Sequence, residues 1–351
     1  MKIRFGIIGC GRIAPRHADS LAEIPNAKLL AVADVIENRA RHFSEMYGAK
    51  YYLNHHDLLA EPEIDVVNIC TPSGMHAPMA IEAMQAGKHV IVEKPMAMNP
   101  VEADRMIAVS RETKRKLCIV LQNRYNPPMQ DFYRAVRDNK IGRVLLGSVT
   151  VRWYRPQEYY EDGWHGTSAM DGGALMNQSI HHIDALQWLV GVPVKSVFAY
   201  TATLSHKMEM EDVGVVAVKF ENGALATIEG STVTYPQNLE ASVALFGDKG
   251  SIKVGGTALN RKIFWKIAGE IEHEKELLTR EEVDPPSVYG ASHRHVIEDM
   301  INAIAENREP QTNGVEGRKS LVLVTAMYES ARTGSAISIK EWENRLDKSN
   351  L

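Results

Sequence analysis

The segment "GIIGCGRIA" (6–14) decides how the N-terminal half is read. It gives Gly9-x-Gly11-x-x-Ala14 between an apolar run, "IRFGIIG" (3–9), and a helical pattern. One glycine permits the tight turn and the next lets the backbone approach a pyrophosphate at a helix N-terminus. A small third residue allows close helix–strand packing. Such a turn reads as a dinucleotide fingerprint only inside a βαβ unit, and the flanking sequence supplies one. Asp34 ends the second apolar run, "KLLAVAD" (28–34). An acid there binds an adenosine ribose 2′-OH and repels a 2′-phosphate, so NAD is expected over NADP. Arg39 follows Asp34 inside the next helical pattern.

The alternation continues outward. "DVVNICT" (65–71), "HVIVEKP" (89–95) and "LCIVLQN" (117–123) read as buried strands, with helical spacing between them. Gly48 and Gly87 stand where two of those helices end. Strands alternating with helices imply right-handed crossovers and a parallel, doubly wound sheet, a Rossmann domain over 1–123. After "NRYNPP" (123–128) the character changes. Residues 194–268 are mostly strand with hairpin turns at "ENG" (221–223) and "GDKG" (247–250). The second domain, 124–351, is therefore α/β with a large, mostly antiparallel open sheet. Helices return at 291–307 and 315–334, partly to the Rossmann domain.

A chain of 351 residues suits two domains. The net charge of −4 offers no overall attraction to nucleic acid or anionic membranes. Cys10, Cys70 and Cys118 show no CxxC spacing and read as reduced thiols. The N-terminus enters a strand pattern at once, without a signal peptide, and no apolar run reaches the ~18–20 residues of a membrane span. A soluble cytoplasmic protein is expected.

Chemistry gathers at the strand ends. "TPSGMH" (71–76) and "EKP" (93–95) lie at the carboxyl ends of expected strands, the edge where open α/β sheets bind ligands. Lys94 there either polarises a hydroxyl or takes its proton, or else snorkels into solvent; both readings stand on the residues alone. "LMNQSIHHID" (175–184) puts Asn177 and His181 four apart on one helix face, with His182 turned about 100° away. The HExxH spacing is absent and no cysteine or second histidine pair has metal-ligand spacing, so no metal is expected. The loop "RWYRPQEYYEDGWHGTSAMDGG" (152–173) sets Arg152 and Arg155 among tyrosines and tryptophans, suited to ring stacking and to pairing with carboxylate or phosphate.

Four segments together resemble the glucose–fructose oxidoreductase / inositol dehydrogenase (Gfo/Idh/MocA) family over nearly the whole chain. They are "GIIGCGRIAPRH", "DVVNICTPSGMHAPMAIEAMQAGKHVIVEKPMA", "GGALMNQSIHHIDALQWLVG" and "HRHVIEDMINAIAENREPQTNGVEGRKSLVLVTAMYESARTG". The resemblance implies pyridine-nucleotide redox chemistry on sugars or polyols, with Lys94 and His181 beside the reacting carbon and either one the base. It implies cofactor contacts from Gly9, Gly11, Arg12, Ile13, Asp34, Thr71, Pro72, His76, Glu93, Lys94, Asn123, Trp164 and His165. Substrate contacts are implied for Lys94, Arg155, Tyr159, Asn177, Gln178, His181 and His182, and a homodimer or homotetramer through the open sheet. Much of the family has aspartate where Asn177 stands, which leads us to expect a substrate carboxylate, as in a uronic acid, to supply the charge. "QNRYNPPM" and "WYRPQEYYEDGWHGT" resemble the subgroup of UDP-N-acetylglucosaminuronate 3-dehydrogenases, which serve surface-polysaccharide sugar synthesis. Relatives often carry Trp-Arg where this chain has Trp164-His165. The alternatives are an inositol or free-sugar dehydrogenase and a dinucleotide-binding sugar sensor without turnover; the presence of both Lys94 and His181 favours an enzyme.

Overall fold

The computed structural model describes residues 2–270 and 292–349. Strand and helix alternate from the start: β1 (Ile3–Ile8), α1 (Ala14–Glu23), β2 (Ala27–Ala33), α2 (Glu37–Tyr47), β3 (Lys50–Tyr52) and α3 (His55–Leu59). There follow β4 (Val66–Ile69), α4 (His76–Gln85), β5 (His89–Val92), α5 (Pro100–Thr113) and β6 (Leu117–Ile119). Next come α6 (Pro127–Arg137), β7 (Val144–Arg152) and α7 (Ile180–Val190). Six strands succeed them: β8 (Val194–Ala202), β9 (Val213–Phe220), β10 (Leu225–Ser231), β11 (Glu240–Gly247), β12 (Gly250–Gly255) and β13 (Arg261–Ile267). The chain ends in α8 (His293–Ala305), α9 (Gly314–Thr333), β14 (Ile337–Ser338) and α10 (Ile339–Ser349). The residues form two compact units, one from the chain up to Leu121 with Ser292–Arg318, the other from the remainder.

The first unit is a six-stranded sheet in the order β3-β2-β1-β4-β5-β6, all pairs parallel. Its inner strands are apolar on both faces, as helices on either side require; Phe5, Ile7, Ile69 and Ile91 are fully buried. Each such side chain contributes roughly 1.5–3 kcal/mol by leaving water. The strand order reverses between β1 and β4, so the carboxyl ends of β1, β2, β4 and β5 share the edge that carries Gly9, Asp34, Thr71 and Glu93. The sequence reading left residues 49–64 unassigned, and they form β3 and α3. It also ran the last strand to 123, whereas β6 stops at Ile119 and a 3₁₀ turn spans Gln122–Tyr125. Polar Gln122, Asn123 and Asn126 ahead of two prolines favour that turn over a ladder.

The second unit holds an eight-stranded sheet in the order β13-β12-β11-β7-β10-β9-β8-β14. Neighbours are antiparallel except β10 and β7. Burial alternates along β9, one face in and one out, as expected for an antiparallel sheet covered on one side. α7 packs on β7 and β11, and α6 packs on α7. Gly214 and Gly230 are direct cross-strand partners on β9 and β10. A Cβ on Gly214 would lie 2.7 Å from Leu175 Cγ, so the missing side chains make the dent into which Leu175 fits. No helix among the described residues is long and apolar enough to cross a membrane. The helix expected from 291 begins, within the described residues, at His293.

Candidate functional site

In the first unit the glycine turn is built as its sequence demands. Gly9 has φ +92°, and a Cβ there would lie 2.7 Å from the Cys70 carbonyl oxygen. Only glycine accepts both. Gly11 has open space where its Cβ would stand, which is the room a pyrophosphate needs. Ile13 caps α1 without any side-chain hydrogen bond and Arg12 is exposed, so the helix end keeps its anion-binding character. Asp34 accepts from the Cys10 N–H at 2.8 Å and from the Ile36 N–H at 2.8 Å. Asp34 is thereby tied to the glycine turn. Burial, then the Asp34 charge, pushes the Cys10 thiol up to about 12. The Thr71 hydroxyl is buried with no hydrogen-bond partner in the described residues. An open glycine, an uncapped helix and an orphaned hydroxyl at one sheet edge fit a dinucleotide.

The EKP turn follows directly on β5. Lys94 is half-buried, and its backbone N–H donates to Glu93 Oε2 at 3.2 Å. Glu93 is buried, with Oε1 2.8 Å from His17 Nε2 and 3.4 Å from His293 Nε2. Burial alone would raise its pKa, but the hydrogen bond from His17 and the nearby His293 ring carry the carboxyl well below the ordinary range. His76 is buried with Nδ1 2.7 Å from the Pro95 carbonyl and Nε2 2.9 Å from the Thr71 carbonyl. Both polar atoms of its ring are thus engaged by the backbone. Burial lowers its pKa, although both carbonyls favour the proton. Pro72 is half-buried at the head of the 3₁₀ turn Ser73–Met75.

The second unit carries the motif "LMNQSIHHID", and its geometry corrects the sequence reading. Asn177 is not on a regular α-helix with His181. Ala174–Gln178 form a π-helical turn, and α7 begins only at Ile180. Asn177 Nδ2 donates to Asp171 Oδ1, while Asp171 Oδ2 accepts from the Gly166 N–H at 2.7 Å. A buried carboxylate therefore lies one hydrogen bond behind Asn177, from a residue the helical spacing could not reveal. His181 is buried, with Nε2 3.4 Å from the Gln122 amide nitrogen. That amide is a donor, so Nε2 presents its lone pair to it. His182 lies edge-on to Trp153 with centroids 5.8 Å apart.

Asp184 is held by Arg124 and Ser320. Arg124 donates to it twice, at 2.7 Å each, and Ser320 Oγ lies 2.8 Å from Oδ1. This ion pair, 7% and 2% exposed, anchors α7. Arg155, Tyr159 and Gln178 come together: Arg155 donates to Gln178 Oε1 at 2.8 Å, and Gln178 Nε2 donates to the Tyr159 hydroxyl at 3.1 Å. Arg155 also sits over the Trp153 and Tyr159 rings, at 5.1 and 5.6 Å. His165 stacks between Tyr159 and Trp164 at 4.1 and 3.6 Å, and its Nδ1 donates to Asp162 at 2.5 Å. Arg152 belongs to the sheet instead, forked onto Glu229 at 2.7 Å. Asn123 is buried on its 3₁₀ turn, and its Oδ1 has no hydrogen-bond partner among the described residues.

Among the described residues, two groups have metal-compatible donor atoms within 4.8 Å of one another, His17/Glu93/His293 and the partly exposed His55/His56/Glu82. Sequence spacing missed the first because its members come from α1, the end of β5 and the start of α8. Glu211 was missed as well. It is buried, its Oε1 accepts from the Leu175 N–H at 2.8 Å and lies 3.0 Å from the Tyr328 hydroxyl, and burial foremost pushes it up to about 7. Nothing in "EMEDVG" signals this, because the burial of Glu211 and Asp212 beside an exposed Glu209 is decided by the fold.

A dinucleotide turn with an acid after β2, followed by a separate α/β domain, defines an NAD-dependent dehydrogenase. Residues 3–121 match the model of the oxidoreductase family's NAD-binding Rossmann fold, and residues 134–339 that of its C-terminal alpha/beta domain. The chain belongs to the Gfo/Idh/MocA oxidoreductase family. It is 40% identical to the WlbA dehydrogenase from Bordetella pertussis, solved in complex with NADH and UDP-GlcNAcA (TM-score 0.88; 96% of this chain and 97% of that one covered). The corresponding enzyme from Chromobacterium violaceum, with the same two molecules, is also 40% identical (TM-score 0.88; 96% of each chain). The myo-inositol 2-dehydrogenase of Thermotoga maritima is 28% identical over 97% of this chain and 99% of its own length.

Proposed function

We propose that this protein oxidises a ring hydroxyl of a sugar nucleotide, C3 of UDP-N-acetylglucosaminuronic acid, to the ketone. The observation that carries the substrate is the 40% identity to two dehydrogenases solved with NADH and UDP-GlcNAcA. Gly9, Gly11 and Asp34 would hold NAD, which would supply the acceptor for the hydride that leaves the oxidised carbon. The hydroxyl proton leaves to a protein base. His181, a buried imidazole at the start of α7, is the candidate for that base. Lys94, at the strand end after β5, would polarise the hydroxyl as its proton leaves. Arg155, preorganised by Gln178 and stacked over two aromatic rings, fits a carboxylate or a diphosphate. Asn177 donates to Asp171, so its side chain orients polar groups without adding a charge of its own.

Oligomerisation through the open sheet is part of the same reading. Leu225, Leu146 and Phe246 are direct neighbours across β10, β7 and β11, and they are 53%, 43% and 38% exposed. An exposed apolar row of this kind favours a second copy. The place of work is the cytoplasm, in assembly of sugars for a surface polysaccharide. A second reading, an inositol dehydrogenase, is favoured by the 28% match to the Thermotoga maritima enzyme. Both are tested by mixing protein and NAD with UDP-N-acetylglucosaminuronic acid, UDP-N-acetylglucosamine, myo-inositol or glucose. A parallel set with an added 2-oxoacid recycles tightly held NADH. Reduction only with the uronate is expected; reduction only with inositol replaces the substrate.

A further inference from the structure

A buried carboxylate at the end of a parallel strand is costly unless it is fully hydrogen-bonded. Glu93 occupies that position, and its two oxygens are used differently. Oε1 faces inward, 2.8 Å from His17 Nε2 and 3.4 Å from His293 Nε2. Oε2 accepts the backbone N–H of Lys94 at 3.2 Å. The tautomer of His17 follows from its other neighbour. Asn68 Nδ2 lies 3.0 Å from His17 Nδ1; an amide N–H there leaves Nδ1 the acceptor and puts the ring proton on Nε2, toward Glu93. The two histidine rings meet edge-on with centroids 5.3 Å apart, where α1 and α8 pack together. The far end of the same turn is held too. The His76 ring lies between two carbonyls, Nδ1 2.7 Å from that of Pro95 and Nε2 2.9 Å from that of Thr71.

We infer that His17, Glu93 and His293 on one side and His76 on the other form a two-ended brace, making all four positioning residues for Lys94. None of them need touch the substrate. The brace fixes the N–H of Lys94 and the carbonyl of Pro95, so the backbone that aims the lysine has little freedom left. The sequence hides this, because one support comes 76 residues before Glu93 and another from a helix that begins at His293. The inference rests on the proposed role of Lys94 and is tested so that the two fail separately.

The test takes the full-length protein carrying Glu93→Ala, Glu93→Gln, His293→Phe or His76→Phe, with Lys94→Ala as control. Amide hydrogen exchange at Lys94, read on overlapping peptides by mass spectrometry, reports the Glu93 bond without reference to turnover. NADH titration by fluorescence counts folded, cofactor-competent protein. The expected results are lost protection of the Lys94 amide in Glu93→Ala and a kcat at least about tenfold lower in the brace variants, since misplacement of about 1 Å is costly. With kcat counted per cofactor-competent molecule, KM for the sugar should stay within about threefold, and Glu93→Gln, which keeps one acceptor, should fall between Glu93→Ala and wild type. A merely structural brace would lower stability and leave kcat per cofactor-competent molecule unchanged. That outcome, or retained protection of the Lys94 amide in Glu93→Ala, overturns the inference. Full turnover by Lys94→Ala overturns the catalytic reading of the lysine instead, and the exchange result still judges the brace.

Discussion

Glu211 makes the stability of the second unit depend on pH in a direction opposite to most acids. Its carboxyl is buried against Leu175 and Tyr328, and burial pushes it up to about 7. In the unfolded chain the same group titrates near 4.5. Between those values the folded state binds more protons than the unfolded state, so stability falls as pH rises. The contribution is complete below about pH 4.5 and is lost as pH climbs through 7. At about 1.4 kcal/mol per pH unit of separation, the loss between pH 4.5 and 8 is roughly 3 kcal/mol. Other buried acids, Glu93 among them, have lowered pKa values and act with the opposite sign. The effect is therefore isolated by comparison with Glu211→Gln, which stays neutral throughout. All five tryptophans lie in the second unit, so urea unfolding of the apoprotein followed by tryptophan fluorescence reports on that unit alone. The stability of wild type relative to Glu211→Gln should drop by about 3 kcal/mol from pH 5 to pH 8. A difference that stays constant within about 0.5 kcal/mol across that range would refute the buried-acid reasoning.

Other perturbations have equally definite outcomes. Arg124→Ala leaves Asp184 buried with Ser320 and no cation, and should destabilise by about 3–5 kcal/mol, visible as a Tm lower by roughly 10 °C. Gly9→Ala forces a Cβ to within 2.7 Å of the Cys70 carbonyl at a φ of +92°, which should weaken NADH binding more than tenfold in a fluorescence titration; near-normal affinity would refute the tight-turn reading. Asn177→Asp sets a second carboxylate against Asp171, so the pair should share one proton and turnover should fall as pH rises; a pH profile like that of wild type would contradict this. Burial raises all three thiols, two of them to about 12, so a disulfide reagent should label none in the native protein and all three in urea.

Periodic features were legible in the sequence and non-local ones were not. The Rossmann strands announce themselves because parallel strands buried on both faces read as unbroken apolar runs. Gly9 and Asp34 follow from what a phosphate turn and a ribose require. His181 stood out through the family resemblance, and Arg155 because an arginine in a polar, aromatic loop has few purely structural uses. The helical reading of Asn177 failed at a π-turn. That turn is held by Glu211 and by the dent between Gly214 and Gly230, and none of these is local to the motif. Asp184 looked like part of the histidine motif, but its partner Arg124 comes from 60 residues earlier. The brace around Glu93 was invisible for the same reason.

The claim that carbon-3 of a UDP-linked uronate gives up the hydride is tested most directly with substrate deuterated at that carbon. One turnover of the protein with NAD and UDP-N-acetylglucosaminuronic acid bearing deuterium at C3 should yield singly deuterated NADH by mass spectrometry, with the ketone at C3 of the sugar. Unlabelled NADH, or reduction that occurs only with myo-inositol, would contradict the account.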